Sequence, residues 1–244
     1  MISVFGLIGH PVSHSFSKGF FEKKFERENI KDCRYDMFDL KSIQDVIDLK
    51  KNPYLKGLNV TVPYKKSIIP LLDFISEEAI KIGAVNTIKI TDGKWFGYNT
   101  DVIGFEKSLV PLLSPAIKNA LILGTGGASL AVRYVLEKLG ISFSFVSRNI
   151  ENADYRYKDL SESVLNTHQL IINTTPLGMF PDINKMPEIP LKYLTLNHLV
   201  CDLIYNPEET FLLKNAAFAG CQIKNGLEML HIQAEESWKI WTAY

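Results

Sequence analysis

Lys65 closes the run "NVTVPYKK", residues 59–66, and Asp101 closes "YNTD". An ammonium and a carboxylate can supply a proton or a charge to an oxygen on which charge grows, as in hydride addition to a ketone, provided they stand within hydrogen-bond reach of it. A free lysine titrates near ~10.4, too high for an efficient base at neutral pH, so a neighbouring acid would hold the ammonium and share the proton. Which of the two transfers it stays open, and coupled groups need not have separate answers. Asn59 and Thr61, just before Lys65, supply an amide and a hydroxyl. A site built from such groups rejects analogues that lack a hydroxyl, since each lost hydrogen bond in a closed site costs roughly 1–3 kcal/mol. Singly, Thr61 reads as strand filler and Asn86 or Asn99 as turn residues; weight comes from their occurring together with Lys65 and Asp101.

A second constellation is "GTGGAS", with Gly124, Thr125, Gly126, Gly127 and Ala128 between an apolar strand and an amphipathic helix. Glycines there let the backbone turn sharply and approach a pyrophosphate, whose charge then meets a helix N-terminus. The third position of the usual dinucleotide pattern is Ser129, and no Gly-Lys-Ser/Thr follows to make a P-loop. The next strand ends "VSRN". Ser147, Arg148 and Asn149 offer a hydroxyl, a charge and an amide with no carboxylate among them, which favours NADP over NAD. Arg148 also reads as a solvated surface arginine.

These residues need elements to hold them. Residues 55–63 alternate as a strand, with Asn59 and Thr61 on one face and Val60 and Val62 on the other. Pro63 suits the first turn of a helix, which places Lys65 just past the strand's carboxyl end, where open α/β sheets bind ligands. The first hundred residues read βαβαβ, followed by a hairpin signalled by Asp92-Gly93 at a sheet edge. A boundary is expected near Gly104. Residues 120–149 then read as one βαβ unit with Gly140 as helix stop, "LIINTT" and "LVCDLIY" extend its sheet, and the tail from Gly226 is a helix whose Trp238 and Trp241 fasten it to the first domain. The expected fold is α/β: an N-terminal substrate domain with a mostly parallel sheet (1–103 and 226–244), a Rossmann-type domain (104–225), and a cleft between them.

Composition narrows the classes. Lys plus Arg and Asp plus Glu balance at 27 each, so nothing draws the chain to nucleic acid or an anionic membrane. Cys33, Cys201 and Cys221 lack metal spacing and are odd in number, which reads as reduced thiols in a cytoplasmic protein with no metal site. No apolar run reaches the ~20 residues of a membrane span, and the N-terminus lacks signal-peptide features, so the mature chain is expected to begin near Met1. Among the histidines, His14 is placed to brace the serines beside it; His10, His168, His198 and His231 read as ordinary surface or core. Ser15 has no nucleophile elbow around it.

The ordered pieces "GHPVSHSFS", "GLNVTVPYK", "GAVNT", "YNTDVIGF", "GTGGAS", "INTTPLGM", "DLIYNPEET" and "GLEMLHIQA" run nearly end to end through a chain that resembles the shikimate dehydrogenase family. The resemblance implies NADPH-dependent reduction of 3-dehydroshikimate to shikimate, on the route to chorismate and the aromatic amino acids. It implies Lys65 and Asp101 as the catalytic pair, Ser15 and Ser17 at the substrate carboxylate with Tyr205 assisting, and Asn59, Thr61, Asn86 and Gln233 around the ring. For the cofactor it implies residues 124–128 at the pyrophosphate, residues 147–152 around the adenosine phosphate, Leu203 and Gly226 near the nicotinamide, and Glu77 at the cofactor edge. Lys18 stands where the family commonly has proline, "SRN" replaces the usual "NRT", and Thr174 replaces a frequent alanine. Alternatives are a quinate/shikimate enzyme with broader substrate or NAD use, a non-catalytic NADP-binding protein on the same scaffold, and a folate-linked dehydrogenase. A homodimer is compatible with the sequence, which does not fix the oligomeric state.

Overall fold

The computed structural model describes residues 2–13 and 15–243. His14, expected to brace the serines, lies outside them. The chain divides into two compact units, Met1–Thr100 with Ala234–Tyr244, and Asp101–Gln233.

In the first unit the order is β1 (Ser3–Gly9), α1 (Ser17–Arg27), β2 (Cys33–Asp39), α2 (Val46–Leu49), β3 (Leu55–Val60), β4 (Phe74–Ile75), α3 (Glu77–Ile82), β5 (Thr87–Thr91) and β6 (Lys94–Tyr98). Its six-stranded sheet runs β2-β1-β3-β5-β6-β4. The first three strands pair in parallel, as the βαβαβ pattern requires, while β3–β5 and β5–β6 are antiparallel. The β5–β6 hairpin turns on Asp92 (φ 51°) and Gly93 (φ 73°), the left-handed pair that a two-residue turn needs. It is not at the edge, because the two-residue β4 adds to β6 in parallel outside it; so short a strand carries no alternation to read.

Two local expectations are corrected. β3 stops at Val60 and not Val62, so Thr61 lies beyond the strand, although its N–H still donates to the Ile8 carbonyl at 2.9 Å. Pro63 follows a cis peptide and opens no helix; residues 62–68 run as consecutive turns, the first of them closed by Tyr64 N–H to the Thr61 carbonyl at 2.9 Å.

The second unit contains α4 (Asp101–Leu109), β7 (Asn119–Leu123), α5 (Gly127–Lys138), β8 (Ser142–Val146), α6 (Glu162–Thr167), β9 (Leu170–Asn173), β10 (Leu199–Asp202), α7 (Phe211–Phe218), β11 (Gln222–Lys224) and the start of α8 (Leu227–Thr242). Its sheet order, β11-β10-β9-β7-β8, is wholly parallel. Residues 120–123 and 170–172 are fully buried, the continuous apolar pattern of strands covered on both faces. Numbered from β7, the order is 2-1-3-4-5, so the topological switch point falls between β7 and β9, above whose carboxyl ends ligands of doubly wound sheets bind.

The units as packed divide at Thr100/Asp101 and at Gln233/Ala234, against the 103 and 226 read from the sequence. At the first crossing, α4 joins the second unit from its first residue, where Gly104 lets it approach the Met229 carbonyl so closely that a Cβ would sit 2.6 Å away. At the second, one helix serves both units. The last turns of α8 belong to the first unit, where the Trp241 ring stacks on Phe5 at 5.0 Å, lies against Gly57 and donates its indole N–H to the Ile88 carbonyl at 2.9 Å.

Candidate active site

In the first unit, the polar residues expected at a substrate are joined through buried hydrogen bonds. Ser17 opens α1, is buried, and lies beside the phenol of Tyr35 on β2. Tyr35 donates to Asn59 Oδ1 at 2.8 Å, and Asn59 Nδ2 donates to Ser237 Oγ of α8 at 2.9 Å. Ser237 Oγ is 2.8 Å from Thr87 Oγ1 and 3.2 Å from Thr100 Oγ1. Both threonines hold Asn86, whose Oδ1 accepts from Thr100 N–H at 2.7 Å and from Thr87 Oγ1 at 3.1 Å, and whose Nδ2 donates to Thr100 Oγ1 at 3.0 Å. A backbone N–H can meet only an acceptor, so the Thr100 contact fixes which end of the Asn86 amide is oxygen. Burial pushes the Tyr35 phenol up, against the opposing hydrogen bond from Ser17, which keeps this chain of groups neutral.

The other candidates hang on the same framework. Ser15 Oγ accepts from Ser17 N–H at 3.3 Å. Lys65, half-buried in the turns after β3, accepts through its carbonyl from Val85 N–H at 2.8 Å, one residue before Asn86. Asp101, 7% exposed, follows Thr100 directly and begins α4. The segment 85–87 thus anchors the backbone of Lys65 and of the residue preceding Asp101. Asn99, buried at 3% exposure, donates to the Ala84 carbonyl at 2.9 Å and braces that segment from behind. Thr61 packs its methyl group towards Gly9, where a Cβ would come within 2.4 Å of it. Lys18 is exposed, with its ammonium 3.8 Å from Glu22. Glu77 is the first residue of α3, which is capped by the Ser76 hydroxyl.

In the second unit, β7 ends in a turn at Gly124, whose φ of 99° suits glycine and against which a Cβ would meet Thr175 Cγ2 at 2.8 Å. Thr174, the residue in place of alanine, donates its hydroxyl to the Leu123 carbonyl at 2.7 Å and so ties β9 to the base of this turn. Gly126 faces open space where a side chain would stand, and the twelve-residue α5 starts at Gly127. Thr125 and Ala128 complete the turn, and Ser129 is buried with its hydroxyl on the Gly126 carbonyl at 2.7 Å. Bare backbone in front of a helix N-terminus fits a pyrophosphate. After β8, Ser147 Oγ accepts from Asn149 N–H at 3.4 Å, and Arg148 is exposed. Asn149 also donates to Glu151 at 3.1 Å, so a carboxylate does follow, past the "SRN" positions.

At the ends of β9 and β10 a second buried cluster centres on Asp202. Asn173 Nδ2 and Ile204 N–H donate to its Oδ1 at 3.0 and 3.1 Å, and the Thr210 hydroxyl donates to Oδ2 at 2.7 Å. Burial pushes its carboxyl up to about 6, held back by those three donors. Asn173 Oδ1 accepts from Thr175 N–H and hydroxyl at 3.0 and 2.7 Å, which orients the loop behind Gly124. Leu203 and Gly226 are brought together: Leu203 N–H donates to the Asn173 carbonyl at 3.0 Å, and a Cβ on Gly226 would lie 2.0 Å from the Leu203 carbonyl oxygen. Tyr205 is half-buried two residues beyond Leu203, and Gln233, 8% exposed, donates to the Leu230 carbonyl at 3.0 Å. Sequence reasoning missed Tyr35, Thr87, Thr100, Ser237, Asn173, Asp202 and Thr210. A readable signal existed for Ser237 alone, which lies one helical turn after Gln233 on the same face.

The family profile described as the shikimate dehydrogenase substrate binding domain matches residues 7–88. A shikimate dehydrogenase (NADP(+)) of Methanococcus maripaludis is 42% identical, the match covering 97% of this chain and 91% of that one. This chain belongs to the shikimate dehydrogenase family. Two solved members agree over its whole length. A shikimate dehydrogenase in complex with NADP+ superposes with a TM-score of 0.87 at 39% identity, covering 100% of this chain and 91% of the other. The Thermus thermophilus shikimate 5-dehydrogenase, solved with NADP(H) and shikimate, gives 0.87 at 29% identity, covering 100% and 94%. Membership accounts for the two groups of residues that the sequence separates, one set polar and neutral on a mixed sheet, the other glycine-rich on a parallel one. Among the described residues no group of His, Cys, Asp or Glu is arranged to hold a metal, and no helix is long and apolar enough to cross a membrane.

Proposed function

We propose that this chain is an NADP-dependent shikimate dehydrogenase, which reduces 3-dehydroshikimate reversibly to shikimate in the biosynthesis of chorismate and the aromatic amino acids. The observation that carries the reading is the hydrogen-bonded framework in which one segment, 85–87, anchors both Lys65 and the residue before Asp101. NADPH, when bound, supplies the hydride. Gly124, Thr125, Gly126, Gly127 and Ala128 would hold its pyrophosphate, Ser147, Arg148 and Asn149 its adenosine phosphate, and Leu203 and Gly226 would border the nicotinamide.

The first unit carries most of the substrate residues, and the second carries the cofactor residues together with Asp101, Tyr205 and Gln233. Ser15 and Ser17 hold the substrate carboxylate, and Ser17 does so by turning its single hydroxyl hydrogen outward while the Tyr35 hydrogen stays on Asn59. Asn86, Thr61 and Gln233 meet ring hydroxyls, and Tyr205 assists at the carboxylate. Asn59 backs the site with both ends of its amide already engaged. The Lys65 ammonium stands at the carbonyl oxygen and stabilises the charge that grows there, and a proton held between Lys65 and Asp101 neutralises it. The site is polar in lining, so it selects by hydroxyl pattern and not by size. Three cysteines without metal spacing support a cytoplasmic setting.

Absorbance of NADPH followed while shikimate and NADP are supplied tests the activity. Rates with quinate and with NAD in parallel assays test the preference; faster turnover with either would move the assignment to the broader branch of the family. Lys65→Ala is expected to lower kcat by about 10² to 10⁴ while the NADP dissociation constant stays within about twofold. Near-normal turnover in that variant would remove Lys65 from its role.

A further inference from the structure

Ser237 sits at the centre of the buried hydrogen bonds of the first unit and is fully buried itself. On one side it accepts from Asn59 Nδ2 at 2.9 Å, Asn59 Oδ1 accepts from Tyr35 at 2.8 Å, and Ser17 lies beside that phenol. On the other it lies 2.8 Å from Thr87 Oγ1 and 3.2 Å from Thr100 Oγ1, the two hydroxyls that hold Asn86. Ser17 and Asn86 belong to opposite ends of the proposed substrate, its carboxylate and its ring. Among the described residues, Ser237 makes the short contacts through which the two halves of this chain of hydrogen bonds meet; Asn59 Nδ2 also makes two long contacts, to Thr87 Oγ1 and to the Asn86 carbonyl, each at 3.4 Å.

We infer that Ser237 is a positioning residue for substrate recognition, coupling the orientation of Ser17 to that of Asn86 through Tyr35, Asn59, Thr87 and Thr100. The inference rests on the substrate-site reading of Ser17 and Asn86. Its physical basis is that a hydroxyl donates one hydrogen and an amide has two distinct ends, so each group in an unbroken chain restricts the next. Ser17 must turn its hydrogen to serve a carboxylate, and Tyr35, which lies beside it and donates to Asn59, passes that change on. Without Ser237 Oγ, Asn59 Nδ2 loses its 2.9 Å acceptor and keeps only the 3.4 Å contacts to Thr87 and the Asn86 carbonyl, so the coupling between the two ends of the site is weakened. The helix α8 contributes this hydroxyl from the far end of the sequence, and Trp241 one turn later holds it in register by packing on Phe5 and Gly57.

The test is steady-state kinetics on Ser237→Ala and on Tyr35→Phe, the latter keeping the ring that stacks on Phe21 at 4.6 Å. Each is expected to raise the KM for shikimate about 10-fold and to leave the KM for NADP unchanged. Their effects are expected to be non-additive, the double variant resembling the worse single one, because both interrupt one chain. A merely structural role would lower the melting temperature and leave the shikimate KM where it was. An active wild type with an unchanged shikimate KM in folded Ser237→Ala, or in Tyr35→Phe should Ser237→Ala not fold, overturns the inference and leaves the proposed function standing. A wild type that does not oxidise shikimate with NADP overturns both.

Discussion

Each unit carries a buried polar cluster beside its proposed ligand, and the two are built on different principles. In the first unit, hydroxyls and amides of Ser17, Tyr35, Asn59, Ser237, Thr87, Thr100 and Asn86 share the load among neutral partners. In the second, Asn173, Thr210 and the Ile204 N–H all point at one carboxylate, Asp202. A neutral chain can adjust, since hydroxyl hydrogens rotate and no proton need be gained or lost. A buried carboxylate cannot, because it must either carry charge away from water or take up a proton. The first arrangement suits a site that must match a pattern of hydroxyls; the second suits a fixed support, holding the ends of β9 and β10 so that Thr175 is presented to the glycine turn and Leu203 to Gly226.

The contrast breaks most visibly at Asp202. Asp202→Ala would leave three buried donors without their acceptor and open a cavity at the end of β10, at a cost of about 3 kcal/mol or more. Urea denaturation with the chain at neutral pH is expected to show a clear drop in midpoint. A loss below about 1 kcal/mol would mean that the three donors find other acceptors and that the carboxylate is no hub.

The sequence made the second unit's turn legible and its support invisible, for a physical reason. Gly124, Gly126 and Gly127 announce themselves because a sharp turn excludes other residues, and the apolar runs 120–123 and 170–172 announce a buried parallel sheet. Asp202 and Thr210 stand eight positions apart at the two ends of the loop from β10 to α7, and what joins them is how the backbone folds back, which no periodicity encodes. In the first unit the pattern placed Asn59 on a strand, where it is, yet Thr61 and Pro63 were read as continuing regular structure where the chain turns instead. The return of α8 followed from Trp238 and Trp241 at helical spacing; that it also delivers the hydroxyl of Ser237 needed the geometry.

A smaller effect separates the clusters by pH. Asp202 binds its proton more tightly in the folded chain, at about 6, than in the unfolded one, where an aspartate titrates near ~3.9. Its contribution to stability is therefore full below the unfolded value and falls as pH rises through the folded one. Asp202→Asn removes that dependence while keeping an oxygen for Asn173 and Ile204. The stability of wild type relative to Asp202→Asn should decline between pH 4 and pH 6 by on the order of 2 kcal/mol and then level off. A difference that stays flat across the window would show that the buried carboxyl does not titrate there.

The smallest expected effect lies in the neutral cluster. Thr87→Val preserves shape and removes one hydroxyl that lies 2.8 Å from Ser237 Oγ and 3.1 Å from Asn86 Oδ1. Asn86 Oδ1 keeps its shorter bond from Thr100 N–H at 2.7 Å, and Ser237 keeps Asn59, so no partner is stranded. Destabilisation of about 1 kcal/mol follows, and because no group in this cluster changes charge, it should be the same at pH 5 and pH 7. Denaturation curves at the two pH values decide it: a pH-dependent loss would mean that the cluster is coupled to a titrating group after all, and the distinction between the two supports would have to be redrawn.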